Sequence, residues 1–270
     1  MRLDSYKKVQ SIEEAYGLLE NDKNLILGGG AWLKLGNSKK ETGIDLELLK
    51  LNEIKKTESG IHIGAMTTLY QIETNDELKA IYNGVISESA SKIMGVQVRN
   101  IATIGGTICG KYGFSDLITP LLALGAILHF YKDGTISLEE FLQRKGKHKD
   151  ILIEVIIPNL NGKADIEIFK KTSLDFSLIN IAVADIEGKD ELRITIGARP
   201  SVAKLMVVSR SEMLELVKAS NEDENSHALH ARLSEIVDEF NFGANQRASK
   251  EYRIELAKAL LQKSVKVVLA

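Results

Sequence analysis

The sequence predicts an α+β protein with two successive domains, and three observations support this class. Glycine is abundant and proline is rare, with 21 glycines and 3 prolines, which is typical of short strands joined by tight turns. Strand-like and helix-like segments are mixed up to Pro158, after which a run of strands is followed by a run of helices. The polar stretch 159–165 separates the two patterns. We therefore expect domains at 1–160 and 161–270.

The first half contains one capped helix and several short strands. Ser11, followed three residues later by Glu14, predicts the capped start of a helix. Residues 24–30 predict a buried strand that runs into a glycine turn. The other predicted elements are strands at 43–47, 61–68, 126–131 and 151–158, a helix at 117–124 and a hairpin turn at Asp133-Gly134.

The second half predicts a strand meander and then helices. Strands are expected at 165–171, 178–187 and 191–198, with Gly188 in a turn. Two or three amphipathic helices should follow, the last from about Lys250 to Val265.

Composition excludes several functions. Thirty-five basic and 37 acidic residues give a net charge of −2, which argues against binding to nucleic acid or an anionic membrane. The longest apolar stretch, 117–131, is shorter than the ~20 residues that span a bilayer. The first residues lack an apolar signal core, so we expect a cytoplasmic location. One cysteine, Cys109, excludes an iron–sulfur cluster ligated by this chain's cysteines.

A first glycine loop is predicted at Leu25–Trp32, LILGGGAW. A strand ending in three glycines can turn its amides inward to form an anion site, and glycine lets a phosphate approach the backbone. The segment is not a Rossmann fingerprint, because Leu33 stands where the third glycine would fall. An ordinary strand–turn–helix junction is the alternative.

A second glycine loop is predicted around Gly105, and two interpretations compete. Residues 105–111 fit the phosphate-loop pattern G-x-x-x-x-G-K. However, Tyr112 stands where a Ser or Thr should place a hydroxyl on magnesium, and Gly113 interrupts the helix that should follow. An amide-lined loop with Thr103 as a hydroxyl donor is therefore favoured.

Thr107 offers a second hydroxyl in this loop, and Asp116 follows shortly after it. Asp116 could accept hydrogen bonds from a hydroxyl-bearing ligand such as a ribose, and either Ser115 or Asp116 could cap the helix at 117–124. Two glycine loops about 75 residues apart, without Rossmann spacing, suit a ligand with two phosphates.

These residues resemble the FAD-binding (medium) subunit of the molybdenum hydroxylases, of the xanthine dehydrogenase and carbon monoxide dehydrogenase type. The similarity is strongest in VQVRNIATIGGTICGKYGFSDLITPLLALGA and also covers LILGGGAWL, EIFKKTSLDFSLINIAVA and TIGARPSVAKL. The resemblance implies a two-lobed PCMH-type (vanillyl-alcohol-oxidase-like) FAD-binding domain at 1–160, with lobes at about 1–57 and 58–160. The family's smaller α+β C-terminal domain would then occupy 161–270.

The resemblance also implies non-covalent FAD and a set of cofactor-binding residues. The first loop would hold the pyrophosphate from one side and the second from the other, with Asp116, Leu152 and Lys170 near other parts of FAD. No residue is expected to act as a catalytic acid or base or as a metal ligand. The implied residues are Leu25, Ile26, Leu27, Gly28, Gly29, Gly30, Ala31, Trp32, Thr103, Ile104, Gly105, Gly106, Thr107, Asp116, Leu152 and Lys170.

The function implied by the resemblance is electron transfer within a xanthine dehydrogenase-like hetero-oligomer. Electrons would come from a 2Fe-2S cluster on one partner subunit, fed by molybdopterin on another, and pass through FAD to NAD or another acceptor. Two alternatives stay open. One alternative is an FAD-less scaffold or assembly subunit, because Trp32, Thr107 and Leu174 depart from the family pattern. The other is a P-loop-type nucleotide hydrolase, which the pattern of the second loop suggests.

Overall fold

A computed structural model describes residues 1–33, 36–37, 39–146, 148–158, 161–221 and 226–270. Within these residues the chain forms three sheets surrounded by helices. The strands are β1 (Arg2–Lys8), β2 (Leu25–Leu27), β3 (Lys39–Asp45), β4 (Ile54–Thr57), β5 (Gly60–Gly64), β6 (Ile127–Phe130), β7 (Gly134–Ser137), β8 (Leu152–Ile157), β9 (Gly162–Phe169), β10 (Ile179–Ile186), β11 (Leu192–Gly197) and β12 (Lys204–Val208).

The helices cluster in the middle and at the end of the chain, and short 3₁₀ turns occupy Glu47–Leu49 and Tyr82–Gly84. The helices are α1 (Ile12–Leu19), α2 (Leu69–Thr74), α3 (Asp76–Ala80), α4 (Val85–Ser91), α5 (Val96–Arg99), α6 (Ile104–Gly110), α7 (Ile118–Ala123), α8 (Leu138–Gln143), α9 (Arg210–Asn221), α10 (Ser226–Asp238) and α11 (Lys250–Leu269).

The first sheet is parallel, in the order β1-β3-β2. The predicted strand 43–47 is the end of β3, whose Ile44 is fully buried. β2 is half-buried rather than buried, because the cavity described below lies beside it. β1 has no alternation of apolar and polar residues and no buried face. Its hydrogen bonds to β3 hold it in place.

The second sheet is antiparallel, in the order β4-β5-β8-β6-β7. The predicted hairpin is confirmed, because β6 and β7 pair with Phe130 opposite Gly134. Its turn is 131–133 rather than Asp133-Gly134, and Gly134, with a left-handed φ of 67°, is the first residue of β7. Ser11 also caps α1, accepting a hydrogen bond from the Glu14 amide at 3.2 Å. The Glu14 carboxylate completes the cap by accepting from the Gln10 amide at 2.8 Å.

The third sheet is the predicted meander with one more strand, in the order β12-β11-β10-β9. The side chains of β10 alternate between its two faces, and all of them are buried because both faces are covered. Ala182 and Ala184 pack into the core of the first half, while Ile181 and Val183 pack with α9–α11. This sheet therefore joins the two halves of the chain.

The remaining predicted elements have small changes of boundary. The predicted helix 117–124 is α7, which begins at Ile118, and α11 runs to Leu269 rather than Val265. Ser115 accepts a hydrogen bond from the Ile118 amide at 3.3 Å and so fills the capping role proposed for Ser115 or Asp116. Residues 159 and 160 of the expected boundary lie outside the described residues, and β9 begins at Gly162.

α11 offers a matched test of the core of the second half. Val265 is fully buried, whereas Val267 on the same helix is 43% exposed. Val265→Ala should lower the free energy of unfolding by about 1.5–3 kcal/mol through lost apolar burial, measured by urea denaturation. Val267→Ala should stay within about 0.5 kcal/mol of the parent. Equal losses for the two variants would contradict this packing.

Candidate functional site

A cavity of about 640 Å³ lies where the turn after β2 faces the beginning of α6. Phe141, His148 and the beginning of β8 also line the cavity. A cavity of this size is in the range that proteins use for small ligands and cofactors. It is therefore the candidate site.

The first glycine loop packs directly on the second. The Thr103 hydroxyl donates a hydrogen bond to the Gly28 carbonyl at 3.1 Å and accepts one from the Gly106 amide at 3.1 Å. A Cβ on Gly106 would come within 2.7 Å of the Gly28 carbonyl oxygen, and a Cβ on Gly29 would collide with the Ile101 carbonyl. These glycines are therefore required for the contact between the two backbones.

The second loop is the start of a helix rather than an open loop. Thr103 is the N-cap of α6, and the first amides of that helix are already bonded. The Ile104 amide donates to the Thr67 carbonyl at 3.0 Å, and the Gly105 amide donates to the Ala65 carbonyl at 2.8 Å. The expectation that this segment presents an array of free amides is therefore wrong.

The free amides belong to the first loop. Gly29 and Gly30 have left-handed φ values of 78° and 70°, and a Cβ on Gly30 would meet nothing within 4 Å. Among the described residues, no acceptor is found for the amides of Gly29, Gly30 and Ala31. Successive amides in a tight turn form a concave site for an anion.

Lys111 does not serve a phosphate loop. It ends α6 in a left-handed conformation, and its ammonium donates to the Phe141 carbonyl at 2.6 Å and to the Arg144 carbonyl at 3.0 Å. The ammonium also lies 4.1 Å from the centre of the Phe141 ring. A phosphate loop needs both a lysine that is free to reach a phosphate and a hydroxyl at position 112. This segment has neither, so the P-loop interpretation is not supported.

Asp116 and Lys170 meet in a second cavity of about 30 Å³. The Lys170 ammonium is 2.7 Å from Asp116 Oδ2 and also donates to the Lys92 carbonyl at 2.7 Å. Asn180 and Ser177 donate to Asp116 Oδ1, Asn180 at 2.8 Å. Only 5% of the Asp116 side chain and 9% of the Lys170 side chain are exposed. The two residues thus form a buried ion pair within a hydrogen-bonded network.

Trp32 and Tyr112 line both cavities, and Phe114 and Phe176 line the second one. We call these four rings the aromatic cluster. The ring centres of Trp32 and Phe176 are 5.3 Å apart, and those of Phe114 and Phe176 are 4.3 Å apart. Tyr112 and Phe114 stack at 5.3 Å. Only Trp32 was among the predicted site residues, because the cluster combines three segments that are distant in the sequence.

The structure places the predicted site residues in three groups. Leu27, Gly29 and Ile104 are not among the residues that line the main cavity, and Asp116 and Lys170 line the second cavity. The residues that line the main cavity are Leu25, Ile26, Gly28, Gly30, Ala31, Trp32, Thr103, Gly105, Gly106, Thr107 and Leu152.

His148 lines the cavity but was not among the site residues predicted from the sequence. Its ring meets Phe130 edge-on at 4.4 Å, and burial lowers the pKa of the imidazole below its ordinary value. Its Nε2 is buried and has no hydrogen-bond partner among the described residues. No motif surrounds His148 in the sequence, so no signal marked it.

Comparison with known proteins identifies the family. Residues 2–160 match the family described as the FAD binding domain in molybdopterin dehydrogenase, and the chain belongs to this family. It is 28% identical over 285 residues to the glyceraldehyde dehydrogenase medium chain of Sulfolobus acidocaldarius, covering 98% of both chains. It is 26% identical over 288 residues to the xanthine dehydrogenase FAD-binding subunit of Escherichia coli O157:H7, covering 98% of this chain and 96% of the relative. The chain is an FAD-binding subunit of the molybdenum hydroxylase family.

Solved structures show the same fold. Carbon monoxide dehydrogenase from Hydrogenophaga pseudoflava has a chain that superposes with a TM-score of 0.82 at 21% identity, covering 99% of this chain and 97% of that one. Quinoline 2-oxidoreductase from Pseudomonas putida 86 gives 0.81 at 18% identity, covering 98% and 96%. None of the helices within the described residues is long and apolar enough to cross a membrane.

The two glycines of the first loop should respond differently to alanine. Gly29→Ala would drive a Cβ into the Ile101 carbonyl, whereas Gly30→Ala meets open space and adds only the left-handed backbone cost of about 1–2 kcal/mol. We expect the larger loss of thermal stability for Gly29→Ala, measured by calorimetry. A greater loss for Gly30→Ala would refute the loop packing.

Lys170 and Lys171 form a matched pair of variants. Lys170→Met leaves the buried Asp116 carboxylate without its cation and should cost about 3–5 kcal/mol of unfolding free energy. Lys171 is exposed, so Lys171→Met should change stability by less than about 0.5 kcal/mol. Chemical denaturation measures both, and an unaffected Lys170→Met protein would show that the ion pair is unimportant.

Proposed function

We propose that this chain binds FAD in the main cavity and passes electrons from a 2Fe-2S cluster on a partner subunit to NAD or another small acceptor. One observation carries the proposal: the amides of Gly29, Gly30 and Ala31 have no acceptor among the described residues, and Gly30 and Ala31 line a cavity of about 640 Å³. Membership in the FAD-binding family supports the choice of ligand.

The residues of the cavity fit FAD. The first loop offers unpaired amides to a pyrophosphate, and Gly30 leaves room for a phosphate to approach the backbone. Lys40 and Lys149 also line the cavity, although Lys149 is paired with Asp22 at 2.7 Å and Lys40 donates to the Asp22 carbonyl at 3.1 Å. Leu152 and Ile151 add apolar side chains to the lining, which suit an aromatic base.

When bound, FAD supplies two-electron and one-electron redox chemistry, and the protein supplies position and electrostatics. Gly29–Ala31 would hold the phosphates through their amides. Lys170 would present a cation whose position is fixed by Asp116 and the Lys92 carbonyl. The proposal requires no acid or base catalyst from this chain.

We further propose a xanthine dehydrogenase-like, cytoplasmic hetero-oligomer in which separate subunits carry the 2Fe-2S clusters and molybdopterin. The similarity to a xanthine dehydrogenase FAD-binding subunit over 98% of this chain supports it. The domain division at about residue 160, with two PCMH-type lobes at about 1–57 and 58–160, belongs to the same proposal. The family match, which ends at residue 160, is consistent with that division.

An FAD-less scaffold of the same fold is the second candidate. The aromatic cluster favours it, because Trp32 and Tyr112 separate the main cavity from the Asp116–Lys170 pair. Such a scaffold would be colourless after purification and would take up no added FAD, whereas an FAD-binding subunit would show flavin absorption bands.

A charge on Gly30 tests the phosphate site. Gly30→Glu places a carboxylate beside the amides, and we expect it to weaken FAD binding at least tenfold, about 1.4 kcal/mol, relative to Gly30→Gln. The two variants share the backbone strain and nearly the same side-chain volume, so their difference isolates the charge. Titration of the FAD-free chain, followed by flavin absorbance, gives both dissociation constants. Equal constants would contradict phosphate binding at this loop.

A further inference from the structure

Trp32 and Tyr112 form a wall shared by the two cavities. Both residues line the main cavity on one side and the Asp116–Lys170 cavity on the other. Their ring centres are 6.1 Å apart. Ala102 and Thr107 also line both cavities, but the cavity that holds Lys170 measures only about 30 Å³, so a flavin ring fits beside Lys170 only if the two rings move.

The wall is not part of the structural core. None of the four rings of the aromatic cluster belongs to the three buried apolar clusters of the described residues, and each ring is half-buried. The indole N–H of Trp32 and the hydroxyl of Tyr112 have no hydrogen-bond partner among the described residues. Buried Tyr and Trp usually have a hydrogen bond that fixes the polar end of the ring, and these two half-buried rings have none.

The opposite side of the cluster is held firmly. Arg247 pairs with Asp175 at 2.6 Å, donates to the Phe176 carbonyl at 2.6 Å and lies 5.5 Å from the centre of the Phe176 ring. By contrast, Trp32 follows Gly28–Gly30, and Tyr112 lies between Gly110 and Gly113. Glycines leave the backbone of these two segments the wider range of conformations.

We propose that Trp32 and Tyr112 separate when FAD binds and that their rings then contact the flavin ring, which takes the place they fill in the FAD-free chain. The inference rests on the proposed function, which puts the phosphates at Gly29–Ala31 and the flavin next to Lys170. Exchange of ring–ring contacts for ring–flavin contacts preserves the aromatic packing of the cluster. The wall would then select FAD over nucleotides that carry only the adenosine diphosphate half.

The single tryptophan makes the wall directly observable. In the ¹⁵N-labelled, FAD-free full chain, the one indole N–H signal reports Trp32 alone. We expect FAD to shift this signal strongly through the ring current of the flavin, whereas ADP at saturation should leave it near its original position. Backbone amide shifts at Gly29–Ala31 verify that each nucleotide occupies the loop.

A second readout uses the flavin itself. Contact with aromatic rings quenches flavin fluorescence, so bound FAD should be several-fold brighter in the Trp32→Leu/Tyr112→Leu double variant than in the parent chain. Tyr252→Leu removes a ring that is 48% exposed on α11, outside the cluster, and should leave the emission unchanged.

The outcomes separate this proposal from the proposed function. In one outcome, FAD binds but shifts the indole signal no more than ADP does, and flavin fluorescence in the double variant equals that in the parent chain. The wall then does not open and the inference is wrong. If neither the spectrum nor the amides show FAD binding, the proposed function fails and the inference fails with it. A flavin-specific shift together with the brighter double variant supports both.

Discussion

The contact between the first glycine turn and the start of α6 is the constraint on which the rest of the site depends. The Thr103 hydroxyl bridges the Gly28 carbonyl and the Gly106 amide, and Gly29 lies against the Ile101 carbonyl where no side chain fits. This contact uses the glycines of the second segment for packing. The amides of the first turn have no acceptor among the described residues, so the first loop is available to bind a ligand and the second supports it.

The third sheet extends this arrangement to the second half of the chain. β10 is buried on both faces, and Asn180 within it donates to Asp116, while Lys170 follows β9 directly. The ion pair therefore joins the turn before α7, in the first half, to the residue that follows β9, in the second. In the proposed function, the cation near FAD would thus come from outside the part of the chain that matches the FAD-binding family.

Much of this could be predicted from the sequence, and the failures have physical causes. Local signals were sufficient for the Asp133-Gly134 hairpin, the Ser11 cap and the meander, because each depends on neighbouring residues. The strand Arg2–Lys8 was missed because pairing, not an apolar pattern, stabilises it. The second glycine segment looked like a loop, yet Thr103 and two carbonyls from a distant segment make it helical. The aromatic cluster could not be predicted, since only folding brings residues 32, 112–114 and 176 together.

Hydrogen exchange at the two glycine segments is the most direct test of FAD binding by this arrangement. In the FAD-free chain, the amides of residues 29–31 should exchange fast, because they have no acceptor among the described residues, while those of 104–106 should exchange slowly. Saturation with FAD should slow exchange at 29–31 and leave 104–106 nearly unchanged. Unaltered exchange at 29–31 with FAD bound would contradict the account.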